Sequence, residues 1–280
     1  MNQTPKNFLT CLTFIIGLPL LVTTNLFSSP APLKKLCVQT FNVYGPIYSR
    51  KRPERAEAFV KELNKLQKCD ILHLQEVWLP RHTQFLQSSL EGHHLIFHQP
   101  TSDNIGLFSS TFLQTFQHQT HYYRTNSQVL NPLDWVRDWI GIGKGFGYFK
   151  ARWNQKTIHN YNTHLHPTSA DIRGHQLLQL QKHIANLPST DIIILAGDFN
   201  ASSLSPEVQE FIQQTHLEVV PTNGCTYCDS NPHHWGGGSR TIDLILYRNL
   251  QLVDAAINLQ TSENLYLSDH YGVRAWFEEI

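Results

Sequence analysis

The sequence has no excess of either charge: 22 Lys and Arg are matched by 22 Asp and Glu over 280 residues. A surface that binds polyanions regardless of their sequence is normally basic, so the balance argues against a non-specific nucleic-acid binder. Internal repeats, low-complexity tracts and Pro/Gly-rich linkers are missing from residues 33–280, which excludes a repeat array and leaves one domain. Beyond the N-terminal segment, no apolar run is long enough to span a membrane. Cysteine is sparse at five residues, one of them Cys11 in the N-terminal apolar run. Core-forming residues are plentiful: 41% of the chain is hydrophobic, with 15 Phe, 10 Tyr and 6 Trp.

Residues 1–31 carry Lys6 ahead of an apolar run from Phe8 to Val22, which contains Pro19 and is followed by small residues. This pattern predicts a secretory signal peptide over 1–31 and an exported domain over 32–280, with an uncleaved anchor as the alternative. Cys11 lies inside the run rather than at its end, which disfavours a lipoprotein. Export implies oxidising conditions, under which Cys225 and Cys228 can pair. Cys37 and Cys69, in apolar strand-like surroundings, are expected to be core thiols.

Strand-like runs recur at 36–43, 70–77, 146–153, 157–165, 191–200, 241–247 and 271–277. Helical periodicity covers 52–67, where Ala56, Phe59, Val60, Leu63 and Leu66 share a face, and 169–187, with Ile172, Leu177, Leu180 and Ile184. A third helix, 205–215, opens with Ser205 as N-cap and Pro206 at its first position. Residues 153–157 read as a hairpin turn. Strands that alternate with helices and also form hairpins predict an α/β sandwich with mixed sheets.

Polar residues interrupt these apolar strands at their ends: Asn42, Glu76, Asn162 and His164, Asp198 and Asn200, Asp243, and Asp269–His270. Burying one such group without a partner costs roughly 2–7 kcal/mol, so convergence on one rim explains the pattern better than coincidence. Glu76 and Asn42 offer hard oxygen ligands suited to Mg²⁺. Asp198 and Asn200, two apart, are expected on one side of a strand to hold a water and a phosphoryl oxygen. His270 would take the water's proton with Asp243 fixing its tautomer, and His164 would donate to developing phosphorane charge. Asn162 and His166 are expected to shape the surrounding loop. A zinc site of Cys225, Cys228, His233 and His234 is disfavoured by its short spacing.

The segments "TFNV", "LQEVW", "NTHLH", "GDFN", "IDLIL" and "SDHYGV", in that order, resemble the endonuclease/exonuclease/phosphatase superfamily from Leu36 to Phe277. The resemblance implies a DNase I-like, four-layer α/β/β/α sandwich with two mixed β-sheets and Mg²⁺-dependent hydrolysis, with Mn²⁺ or Co²⁺ as substitutes. It assigns Glu76 and Asn42 to the metal, and Asp269 to a second metal or to its surroundings. His270 becomes the general base and Asp243 its orienting partner, while Asp198, Asn200 and His164 handle phosphate and water. Trp78, "NTHLHP", "KGFGYFKARW" and "SDHYGV" (with Gly272 where those enzymes carry Pro) resemble neutral and bacterial sphingomyelinases. That branch implies hydrolysis of sphingomyelin to ceramide and phosphocholine. Inositol-polyphosphate 5-phosphatases are disfavoured, because Ala201-Ser202 follow "GDFN" in place of their Tyr-Arg.

A secreted DNase-like nuclease shares the catalytic set and is the alternative, with nucleic acid as its partner. An inactive lipid- or protein-binding module is the third reading, opposed by the intact set. In "LNPLDWVRDWIGIGKGFG", Trp135, Trp139 and Ile140 flanked by Arg137 and Lys144 read as a segment that docks a monomer on a phospholipid surface, or else packs on the core. "HHWGGGSR" (233–240) is expected to be a loop bordering the cleft, with His233 or Trp235 available to a choline-type cation.

Overall fold

The computed structural model describes residues 35–45, 49–66, 69–77, 80–90, 92–97, 106–110, 113–123 and 144–280. The expected signal peptide and the expected membrane-docking residues Trp135, Trp139 and Ile140 lie outside the described residues, as does Trp78. All described elements belong to Leu33–Ile280.

One sheet takes β1 (Leu36–Asn42), β2 (Ile71–Gln75), β3 (His93–Phe97), β4 (Gly106–Ser110), β11 (Leu250–Asn258) and β14 (Gly272–Glu279) in the order β11-β14-β1-β2-β4-β3. The other takes β5 (Gln114–Tyr122), β6 (Gly145–Trp153), β7 (Lys156–His164), β8 (Ile192–Asp198), β9 (Glu218–Val219) and β10 (Asp243–Arg248) in the order β5-β6-β7-β8-β10-β9. Both are mixed, since β1 with β2 and β7 with β8 are parallel while the remaining pairings are antiparallel. Helices α1 (Arg52–Lys65) and α2 (Pro80–Ser89) cover the first sheet. Helices α3 (Ala170–Ile184) and α4 (Pro206–Thr215) cover the second. The result is the α/β/β/α sandwich. A small hairpin, β12 (Thr261–Ser262) with β13 (Leu265–Tyr266), precedes the last strand.

Strand alternation explains the layering, because successive side chains point to opposite faces. On β8, Ile192, Ile194 and Ala196 enter the layer between the sheets, while Ile193 and Leu195 pack under α3 with Leu177, Leu180 and Ile184. On β1, Leu36 and Val38 face β14's Val273, Ala275 and Phe277 in that central layer, and Phe41 lies under Phe59 of α1 at 5.0 Å. The turn between β6 and β7 places Asn154 and Gln155 at φ 47 and 71, matching the right-handed twist of a tight hairpin. Ser169 caps α3 through its hydroxyl, which accepts from the Ile172 N–H at 3.3 Å. Ser205 stands at the N-cap of α4, but its side chain makes no capping bond.

Cys37 and Cys69 are bridged, contrary to the core-thiol expectation. Parallel pairing of β1 with β2 sets Val38 opposite Ile71 and brings the two cysteine Cα atoms to 4.5 Å, a proximity that a sequence separation of 32 conceals. Cys225 and Cys228 are bridged as well, which removes the thiolates a zinc site would need.

Two interior positions generate predictions. His73 on β2 is fully enclosed, neither ring nitrogen has a hydrogen-bond partner, and burial pushes its pKa down to about 3. Below its ordinary value of 6.5, the unfolded chain gains a proton that the folded chain refuses until about pH 3. Stability should therefore fall with acidification across that window, by roughly 1.4 kcal/mol per pH unit at most from this residue. His73→Phe should flatten that limb of the urea-unfolding profile by about one proton; an unchanged slope contradicts the assignment. Gly197 holds φ +150, and a Cβ there would lie 1.9 Å from the Thr163 carbonyl oxygen of β7. Gly197→Ala should cost at least about 1–3 kcal/mol in the same assay, and a neutral result would show that β7 and β8 can separate freely.

Candidate active site

Three adjacent strands of the second sheet set His164, Asp198 and Asp243 in register, His164 opposite Asp198 on β7 and Asp198 opposite Asp243 on β10. All are buried, because alternation turns them into the layer between the sheets. The first sheet contributes Asn42, the last residue of β1. Its Nδ2 donates across the layer to Asp198 Oδ2 at 3.0 Å and to Glu76 Oε1 at 3.2 Å. His164 Nε2 lies 3.3 Å from the same Asp198 oxygen, and His270 Nε2 lies 3.7 Å from it. His270 Nδ1 meets Asp243 Oδ2 at 2.8 Å, which fixes the ring with Nε2 toward Asp198.

Loops supply the other members. Glu76 follows β2 with φ 60, a left-handed conformation uncommon outside glycine, and this turn delivers its carboxylate to Asn42. Asn200 stands beyond β8 in a left-handed turn at φ 51, so strand alternation does not place it beside Asp198. Instead its backbone N–H binds Asp198 Oδ1 at 2.9 Å and its Nδ2 donates to the Leu165 carbonyl. Ser268 ties the 268–270 loop to β1 by donating to the Asn42 carbonyl at 2.6 Å, and its Oγ accepts the His270 N–H. Asn162 bonds Gln75 of the opposite sheet, and His166 Nδ1 accepts from the Ser169 N–H, so both brace the site's surroundings.

Charge is unevenly balanced here. Burial opposes a proton on His270, but the carboxylates of Asp243, Asp198 and Asp269 outweigh it and raise its pKa well above the ordinary imidazole value. Burial likewise works against ionised Asp198, yet His270 and His164 hold its pKa below the usual carboxylate range. Asp269 is pushed up to about 7 by burial, with His270 opposing the shift and Glu76 and Asp198 adding to it. Carboxylates that raise one another in a buried site form a hard-oxygen set that fits a divalent cation. Asp198, Asp243 and His270 also place one ligand atom each within 4.8 Å of one another. Asp243 commits Oδ2 to His270 Nδ1, and Asn42 engages Asp198, Glu76 and the Tyr44 N–H, which leaves the carboxylates of Glu76 and Asp269 as the freer donors, with Asn42 Oδ1 beside them.

Lys144, Thr226 and Tyr227 join the site without a place in the sequence-based set. The Lys144 ammonium lies 2.8 Å from His164 Nε2. The Thr226 hydroxyl accepts the N–H groups of Ile242 and Asp243, fixing the entry to β10. The Tyr227 ring packs 5.0 Å from His270. The Lys-Gly step into β6 is the sequence signal for Lys144, and "CTYCDSNP", which resembles a Thr-Tyr/Trp-Asp…Asn segment of sphingomyelinases, is the signal for Thr226 and Tyr227.

Comparison with known proteins agrees with this architecture. A Drosophila melanogaster protein described as "Putative neutral sphingomyelinase" is 30% identical over 181 residues, covering 60% of this chain and 40% of that relative. The match thus spans well under two thirds of the relative's length. Among solved structures, Danio rerio TDP2 complexed with a single-strand DNA product superposes with a TM-score of 0.73 at 17% identity, over 87% of this chain and 99% of that one. An endonuclease/exonuclease/phosphatase from Bacteroides vulgatus gives 0.72 at 18% identity, over 88% and 100%. At such identities the likeness is one of fold. The model of the Endonuclease/Exonuclease/phosphatase family, a family of hydrolases, matches residues 40–270, and the chain belongs to that family.

Proposed function

We propose that the chain is an exported, divalent-metal-dependent phosphodiesterase that hydrolyses sphingomyelin to ceramide and phosphocholine at a phospholipid surface. The observation that carries the hydrolytic reading is His270 held by Asp243 at 2.8 Å with its other nitrogen directed at Asp198. Similarity to the Drosophila protein supports the choice of lipid. The disulfides Cys37–Cys69 and Cys225–Cys228 support an oxidising compartment.

Glu76, with Asn42 and Asp269, would hold the cation, for which Mg²⁺ is the natural hard-oxygen partner. When bound it would neutralise charge on the phosphoryl oxygens and on the surrounding carboxylates. With a bound cation offsetting the carboxylates that otherwise hold it protonated, His270 Nε2 would take the proton of a water, and Asp243 would keep Nδ1 protonated and stabilise the resulting imidazolium. Asp198 orients the water, itself fixed by the Asn200 N–H and by Asn42. His164, beside the Lys144 ammonium, donates toward charge developing on the phosphoryl group.

His270→Ala should lower turnover on sphingomyelin liposomes by roughly 10²–10⁴ while the protein stays folded at assay temperature, with a lowered thermal midpoint because buried Asp243 and Asp198 lose a partner. A variant retaining more than about a hundredth of the wild-type rate would remove His270 from the base role. Wild-type protein should lose liposome hydrolysis in EDTA and regain it with Mg²⁺. Plasmid DNA tested alongside decides the alternative: cleavage of DNA without sphingomyelin hydrolysis makes the chain a nuclease.

A further inference from the structure

An aromatic rim crosses the mouth of the site and takes no part in the chemistry above. The Trp235 N–H donates to the Tyr227 hydroxyl at 2.8 Å, and the Trp235 indole Nε1–H donates to the Tyr44 hydroxyl at 3.2 Å. Tyr227 stacks beside His270, while the Tyr44 N–H bonds Asn42 Oδ1 at 3.0 Å. Trp235 therefore bridges the base side and the proposed metal side of the cleft. It is anchored at both ends, yet 75% of its surface is exposed. Gly236, Gly237 and Gly238 follow at φ +70, +91 and +77, a left-handed run open to glycine. A Cβ at Gly236 or Gly238 would meet nothing within 4 Å, so backbone conformation rather than close packing calls for glycine there.

The rim's tyrosines already carry cations. The Arg55 guanidinium lies 5.0 Å from the Tyr44 ring centroid, and Arg240 lies 5.1 Å from that of Tyr227. Arg55 is fully committed, donating to the carbonyls of Arg50, Val43, Leu267 and Tyr44 and to the Ser49 hydroxyl. Trp235 presents the strongest cation-binding ring of the three, and among the described residues no cation lies over it.

We propose that Trp235 is a specificity-determining wall that binds a quaternary ammonium group carried by the phosphodiester substrate. This rests on the phosphodiesterase reading and deepens it. A quaternary ammonium donates no hydrogen bond, so an aromatic face recognises such a group where hydrogen-bond acceptors could not. An indole held by its hydrogen bond to Tyr44, on a backbone held by Tyr227, loses little freedom when the ligand arrives. Nucleobase stacking is the competing use of an exposed indole, and a nucleotide ester separates the two.

Full-length protein with Mg²⁺ would be assayed on p-nitrophenyl phosphorylcholine, bis(p-nitrophenyl) phosphate and thymidine 5′-p-nitrophenyl phosphate, as wild type, Trp235→Ala and Trp235→Phe. Trp235→Ala should reduce the kcat/KM ratio of the choline ester to the bis ester roughly 5- to 30-fold, mainly through KM. Trp235→Phe should fall between Trp235→Ala and wild type. Equal losses on the choline and bis esters would make Trp235 structural, and a selective loss on the thymidine ester would make it a base-stacking platform; either overturns the proposal. Wild type that hydrolyses the bis ester without preferring the choline ester sinks both the choline reading of the substrate and this one. Binding is read separately by titrating phosphocholine against the indole N–H resonance that Trp235→Phe removes. A shift at that resonance supports the proposal even without turnover, and its absence overturns the proposal even where turnover is found.

Discussion

The carboxylate of Asp198 joins the two sheets at the polar end of the layer between them. Asn42 reaches it from one sheet, His164 from the other, and His270 from the loop before the last strand. A buried carboxylate without such partners would cost more than the surrounding apolar packing could offset. With them, Asp198 stays ionised below the ordinary carboxylate range and fixes the relative position of the groups the reaction uses. Removing any one partner would leave a buried charge only partly compensated. The catalytic geometry and the closure of the sandwich at this end are therefore one interaction.

The layer between the sheets is graded. At one end it is a dry core of Val38, Ile71, Ile158, Ile192, Ile194, Ile245, Val273 and Phe277. Further along, Gln75 donates to Asn162 at 2.7 Å across the gap, and Asn162 donates to the Leu74 carbonyl, stitching the sheets through side-chain amides. His73 and Asn160 lie in the same layer, enclosed and without hydrogen-bond partners among the described residues. Each is a local cost carried by the dry end. The gradient suits a site that needs rigid support beneath and polar groups above, since apolar packing fixes the strands and the amides carry that register to the carboxylates.

Alternation made much of this readable from residue order alone. Residues 192, 194 and 196 are apolar and 198 is Asp, so the inward row of β8 announces the change from core to site. The same holds for β7, where Ile158 gives way to Asn160, Asn162 and His164. The rule stops where the strand stops. Glu76 and Asn200 owe their places to left-handed turns, which depend on contacts across the sheet rather than on period. The Cys37–Cys69 bridge depends on which strands become neighbours, a property of the whole topology. Strand β11 escaped notice because it is an edge strand, half-exposed along most of its length, with weak patterning and a register shift at Leu252/Asp254. Lys144, just before β6, and Tyr227, paired with Arg240, lie in segments that motif resemblance marks, but strand period gives no place to either at the site.

Substrate choice must lie outside this shared machinery. Structures that superpose with this chain at TM-scores of 0.73 and 0.72 share less than a fifth of its residues, so the sandwich tolerates almost any surface around its polar edge. Groups that move a proton or hold phosphate are constrained by the scissile bond, which every phosphodiester presents alike. What differs between a lipid head group and a nucleotide is the substituent beside the phosphorus, which on the proposed reading would meet the rim. Here the rim is the 225–240 loop, closed at its base by the Cys225–Cys228 bridge and by the pairing of Tyr227 with Arg240. A loop braced in this way can change its tip, Trp235 and the glycines after it, without disturbing Tyr227 against His270. On the proposed reading, the residues that would set the rate stand on strand ends and in the 268–270 loop, while those that would select the substrate stand on the separate 225–240 loop.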